Sequence, residues 1–130
     1  MKILIVDDQE MITRSTSTYL KTKGFKDVST LTDSREVLEA VSATKFNVVL
    51  LDLNIPHLSG KDLIAPLLVI DPDLNIIIIS AMDHRDTIKE CKALGALDYF
   101  IKPLDNIRLL EILHKVDQTE VTTKTSSDQA

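Results

Sequence analysis

The chain has 130 residues, 44% of them apolar, and its 15 Lys plus Arg against 20 Asp plus Glu leave a net charge of −5. That length suits one domain with a core, which argues against a chain disordered throughout, and the acidic balance argues against holding nucleic acid by bulk charge. The single cysteine, Cys91, excludes an internal disulfide and a cysteine-based metal site.

No apolar run approaches the roughly eighteen residues of a spanning helix, and the stretch after Lys2 stops at Asp7, too short for a signal peptide. A cytoplasmic protein with no membrane partner is the expectation.

Five short apolar runs recur along the chain: Ile3 to Val6, Val28 to Leu31, Val48 to Leu51, Ile76 to Ile79, and Tyr99 to Ile101. The first, third and fourth lack polar alternation, which is the habit of central strands buried on both faces of a parallel sheet. Val28 to Leu31 is more polar and suits an edge strand.

Helical spacing fills the intervals. Ile12, Thr16, Tyr19 and Leu20 form the first stripe, ended by Gly24. Asp33 with Glu36 reads as a capping box for the second helix, whose Val37, Leu38 and Val41 face inward. The third runs from about Gly60 to Ile70, with Pro66 expected to kink it or delay its start. Ile88, Cys91 and Leu94 mark the fourth helix, which Gly95 ends. Leu109, Ile112, Leu113 and Val116 mark the fifth. The order is β-α five times over, an α/β fold with a parallel sheet and helices on both faces. Residues 1–117 form the domain. Residues 118–130 are polar and aperiodic, and are expected to be a disordered tail or linker.

In such a sheet, ligands sit beyond the carboxyl ends of the strands. Asp7 and Asp8 follow the first run, Asp52 and then Asn54 the third, Ser80 and Ala81 the fourth, Lys102 and Pro103 the fifth. Taken singly, each is ordinary turn or cap chemistry. Together they place three carboxylates, a hydroxyl and an ammonium on one edge. Carboxylates that close repel unless a cation intervenes, and Mg²⁺ and Lys102 both qualify. A carboxylate beside Mg²⁺, a lysine and a hydroxyl is what a phosphoryl acceptor needs. His57, His84 and His114 show no metal spacing and read as surface residues, and Cys91 reads as helix core.

These residues resemble the receiver domain of response regulators in two-component signalling, over about Lys2 to Val116. The motif is Ile3 to Asp8, Leu50 to Pro56 with Gly60, Ser80-Ala81, and Lys102-Pro103. The resemblance implies a flavodoxin-like sheet of order 2-1-3-4-5 with five helices. It implies Asp52 as phospho-acceptor, and Mg²⁺ held by Asp8, Asp52, the Asn54 backbone carbonyl and, through water, Asp7. Ser80, Ala81 and Lys102 would bind the phosphoryl group. Ser80 and Tyr99 would be the switch, with Tyr99 turning inward as Ser80 moves. The Lys102-Pro103 bond would be cis. Ser80 stands where threonine is commoner but keeps the hydroxyl, and Asn54 and Met82 take variable positions flanking the site.

The implied partners are a sensor histidine kinase or phosphotransfer protein as donor, and a downstream protein or output domain at the face of the fourth helix, fifth strand and fifth helix. A phosphorylation-dependent dimer falls within the same implication. The domain would not be an enzyme beyond promoting its own phosphorylation and dephosphorylation. Two other readings compete. One is an aspartate-nucleophile phosphatase, against which Asp52-Leu53-Asn54 lacks a second carboxylate two residues on. The other is an unphosphorylated interaction module, against which nothing structural demands all of Asp7, Asp8, Asp52, Ser80 and Lys102. A nucleotide-binding domain is disfavoured because no glycine-rich loop follows the first strand.

Overall fold

The computed structural model describes the backbone of residues 1–129 and the side chains of residues 1–119. Strands β1 (Lys2–Val6), β2 (Asp27–Leu31), β3 (Val48–Leu51), β4 (Asn75–Ser80) and β5 (Asp98–Ile101) alternate with helices α1 (Glu10–Thr22), α2 (Val37–Ala43), α3 (Gly60–Ile70), α4 (Arg85–Ala93) and α5 (Asn106–Gln129). The sheet is parallel throughout, in the order β2-β1-β3-β4-β5, as expected. β2 lies at the edge, and most of its residues are exposed.

The continuous apolar runs are explained by two cores, one on each face of the sheet. Leu4, Val6, Val49, Leu51, Ile76 and Ile78 pack with Val37 and Val41 of α2, Leu63, Ile64 and Leu67 of α3, and Cys91 of α4. Their neighbours Ile3, Ile5, Val48, Leu50 and Ile77 point the other way, onto Leu20 of α1 and Leu109, Leu113 and Val116 of α5. Successive strand residues face opposite sides, so a strand covered on both must be apolar at every position.

Gly24 ends α1 as read. At φ 97° it lets the Phe25 N–H donate to the Leu20 carbonyl at 3.1 Å and its own N–H donate to Lys21 at 3.2 Å. Two local expectations are corrected. Asp33 does cap, but it accepts from the Arg35 N–H and closes a 3-10 turn over Ser34–Glu36, so α2 begins at Val37. The Asp33 carboxylate also holds the Arg35 guanidinium at 2.8 Å, which fixes the tighter turn. Pro66 does not delay α3, which starts at Gly60 behind the Ser59 cap. Pro66 and Asp62, whose carbonyl loses its helical donor, are both exposed. The backbone of α5 continues past Val116 to Gln129. The tail expected over 118–130 falls mostly on side chains outside the described residues. Among the described residues no helix is long and apolar enough to cross a membrane.

Candidate functional site

The sheet ladder continues one residue past three strands. The Asp7 N–H donates to the Leu31 carbonyl at 3.2 Å, that of Asp52 to Val6 at 3.0 Å, and that of Lys102 to Ser80 at 2.8 Å. The chemistry-bearing residues are therefore mounted on the rigid carboxyl edge rather than on free loops.

Asp7 and Asp52 are held in the same way. Each turns one oxygen to the backbone N–H two residues on: Gln9 at 2.9 Å for Asp7, Asn54 at 3.0 Å for Asp52. Each offers its second oxygen to the Lys102 ammonium, both at 2.9 Å. The sequence places Lys102 on the same edge as the carboxylates, and the structure pairs it with Asp7 as well as Asp52, across 95 residues. Both carboxylates are buried and Asp8 is exposed. The three supply carboxylate oxygens lying within 4.8 Å of one another. An all-oxygen, triply anionic set with one exposed member fits a hard divalent cation, and Mg²⁺ in particular tolerates few carboxylates with water completing its shell.

Burial pulls the Lys102 ammonium down, but the hydrogen bonds it donates to Asp52 and Asp7 outweigh this and raise its pKa. Its side chain is 23% exposed. Lys102→Met would leave two buried carboxylates facing each other. Breaking fully buried ion pairs costs about 3–5 kcal/mol, and partial exposure should bring this one to about 2–3 kcal/mol. Urea denaturation without metal should show that loss, and millimolar Mg²⁺ should recover part of it.

Ser80 is fully buried, and its Oγ accepts from the Met82 N–H at 3.1 Å. Ala81 follows it, exposed, offering only backbone and a methyl. Tyr99 stands inward, and its phenol donates to the Met82 carbonyl at 2.6 Å. One residue, Met82, thus links the hydroxyl at the site to the aromatic ring behind it. The Lys102-Pro103 bond is cis. Asn54 is exposed beside Asp52, and His57, His84 and His114 are exposed away from any metal cluster among the described residues.

Burial pushes the Tyr99 phenol above its usual pKa. A raised folded pKa contributes stability that is complete below the unfolded value, about 10, and is lost as pH rises through the folded one. Tyr99→Phe lacks this contribution. As pH rises above about 10, its denaturation midpoint should fall less than that of the parent. Equal slopes would remove Tyr99 as a source of alkaline sensitivity.

A cavity of about 50 Å³ lies under the site, lined by Asp7, Asp52, Lys102, Ile12 and Leu104 among others. The larger groove, about 680 Å³, runs along α5 and β5 and contains none of the three carboxylates.

Comparison with known proteins agrees with this geometry. The response regulator receiver domain matches residues 3–114. The chain is 31% identical to the chemotaxis protein CheY of Thermotoga maritima over 117 residues, 90% of this chain and 98% of that one. It is 36% identical to the sporulation initiation phosphotransferase F of Bacillus subtilis over 104 residues, 80% and 83% of the two chains. A crystal structure of a response regulator protein from Burkholderia pseudomallei, with a phosphorylated aspartic acid, calcium ion and citrate, superposes with a TM-score of 0.80 at 26% identity. That match covers 94% of this chain and 72% of that one.

Proposed function

This chain belongs to the response regulator receiver domain family of two-component signalling, and from that premise we propose that Asp52 accepts a phosphoryl group from a phosphohistidine on a sensor kinase or phosphotransfer protein. The observation that carries the reading is the Lys102 ammonium, 2.9 Å from an oxygen of Asp52 and of Asp7, inside a cluster of three carboxylates.

In the transfer an Asp52 oxygen attacks phosphorus. The new P–O bond forms as the P–N bond to the donor imidazole breaks, and the imidazole leaves with that electron pair. Lys102 shifts its hydrogen bond from the Asp52 carboxylate to a phosphoryl oxygen. Asp8, Asp52, the Asn54 backbone carbonyl and, through water, Asp7 are the groups that would hold Mg²⁺, which when bound offsets negative charge on the phosphoryl oxygens. Ser80 has an O–H to donate to the phosphoryl group. Moving toward it releases the Met82 N–H, and the Met82 carbonyl is the acceptor that holds Tyr99. The added charge, about −1.5 to −2 in phosphorylated side chains, is thereby coupled to the segment entering α4.

The output lies on the face of α4, β5 and α5, where Ile101 of β5 and Ile107 of α5 leave 45% and 70% of their surface exposed. That apolar surface is suited to a protein partner, an output domain or a second copy. The chain turns over no external substrate, because the segment after Asp52 has no second carboxylate two residues on to act as general acid.

The test is intact mass after incubation with Mg²⁺ and acetyl phosphate, then with a phosphorylated histidine kinase. A labile gain of about 80 Da, lost with a chelator present, is expected. No gain from either donor favours the interaction-module reading. Steady turnover of p-nitrophenyl phosphate favours a phosphatase.

A further inference from the structure

The loop after Asp52 contains a backbone outlier. His57 has φ 79°, a conformation that L side chains rarely adopt. Its neighbours close a three-residue turn over it, with the Leu58 N–H donating to the Pro56 carbonyl at 3.2 Å. Turns of that hand are rare and strained, and persist where the surroundings over-determine them. His57 itself is exposed and supplies no such constraint.

The constraint comes from 22 residues upstream. Ser34, in the 3-10 turn before α2, is fully buried. Its hydroxyl donates to the Pro56 carbonyl at 2.6 Å and accepts from the Leu58 N–H at 3.0 Å. One hydroxyl therefore ties together both ends of the strained turn. Ile55 anchors the adjoining residue in the core. The segment between these anchors and Asp52 is two residues long and includes Asn54, whose N–H bonds the Asp52 carboxylate.

We propose that Ser34 is a positioning residue for the acceptor site. By locking the 56–58 turn it fixes the peptides on both sides of Asn54, the one whose N–H holds the rotamer of Asp52 and the one whose carbonyl is offered to a divalent cation. This rests on the acceptor reading above. Ser34 touches neither the cation nor the phosphoryl group. It acts from outside, as groups do that orient metal ligands, where loss costs ten- to a hundred-fold in affinity.

The decisive measurement is Mg²⁺ affinity by NMR titration of backbone amides, which needs no phosphoryl transfer. Ser34→Ala should weaken Mg²⁺ binding about tenfold, with the Asn54 and Leu58 amides displaced before metal is added. Ser17→Ala removes another buried serine, on α1 and outside the loop. It should leave the affinity unchanged, which separates positioning from general loss of stability. If Ser34→Ala does not fold, Ser34→Cys keeps a donor and acceptor at that position, weaker and somewhat bulkier than the hydroxyl, and should weaken binding by a smaller factor. His57→Gly relieves the strain, so adding it to either Ser34 variant should recover part of the lost affinity. A folded Ser34 variant that binds Mg²⁺ within twofold of the parent overturns the proposal and leaves the acceptor reading intact. A parent chain that binds no Mg²⁺ overturns both.

Discussion

Asp52→Asn should take up no phosphoryl group under conditions where the parent gains about 80 Da. The substitution is close to isosteric. Its amide oxygen can still accept from the Asn54 N–H, so the loop after β3 keeps its anchor. What disappears is the anionic oxygen, and a neutral amide is too weak a nucleophile to displace imidazole or acetate from phosphorus. Lys102 retains Asp7 as partner, so its charge is still compensated. The fold should therefore survive, with a change in unfolding free energy within about 1 kcal/mol. Loss of uptake at preserved stability is the required combination. Loss of both would show only that the site had collapsed. A labile gain persisting in Asp52→Asn would move the acceptor to Asp7 or Asp8, the other carboxylates of the cluster. Hydroxylamine, which cleaves acyl phosphates, would then distinguish a carboxylate adduct from a serine or threonine ester.

Much of this site was readable because a parallel sheet makes position in sequence equivalent to position in space. Each buried strand declares itself by an apolar run, and the residue that ends the run must emerge on the shared edge. Asp7, Asp52, Ser80 and Lys102 could thus be brought together without any knowledge of distances. Periodicity fails where the interaction is neither local nor repeated. Ser34 reaches Pro56 and Leu58 from a turn that read as the start of a helix, and a lone serine beside an aspartate carries no sign of that reach. The same holds for the Met82 carbonyl, a backbone group whose role beside Tyr99 no side-chain pattern could announce. The start of α3 could not be read from Pro66 for a different reason. The proline's cost depends on whether the freed carbonyl faces protein or water, and only the packing decides that.

Gly60→Ala should be the most destabilising small substitution in the chain, at about 3–5 kcal/mol against the 5–15 kcal/mol that holds a domain folded. Helix propensity argues the other way, since alanine is better than glycine in a helix by about 1 kcal/mol. Sterics decide. A Cβ on Gly60 would sit 2.3 Å from the Asp52 carbonyl oxygen, 2.9 Å from the Leu53 Cα and 3.0 Å from the Asp52 carbonyl carbon. All three are backbone atoms, so no side chain can rotate out of the way. Nor can that backbone retreat, because the Asp52 N–H is bonded to Val6, and the Gly60 N–H to the Leu53 carbonyl at 3.1 Å. Gly24→Ala supplies the contrast. A Cβ there meets nothing within 4 Å, and only the positive φ opposes it, which costs about 1–2 kcal/mol. Urea denaturation of the two variants should separate contact from conformation, with Gly60→Ala losing at least about 1 kcal/mol more. If Gly60→Ala does fold, relief of the clash must displace the Asp52–Leu53 peptide. Phosphoryl uptake should then fall along with stability, because the same peptide carries the acceptor. A Gly60→Ala variant within about 0.5 kcal/mol of the parent, the range of neutral surface changes, would contradict the close approach of α3 to the acceptor strand.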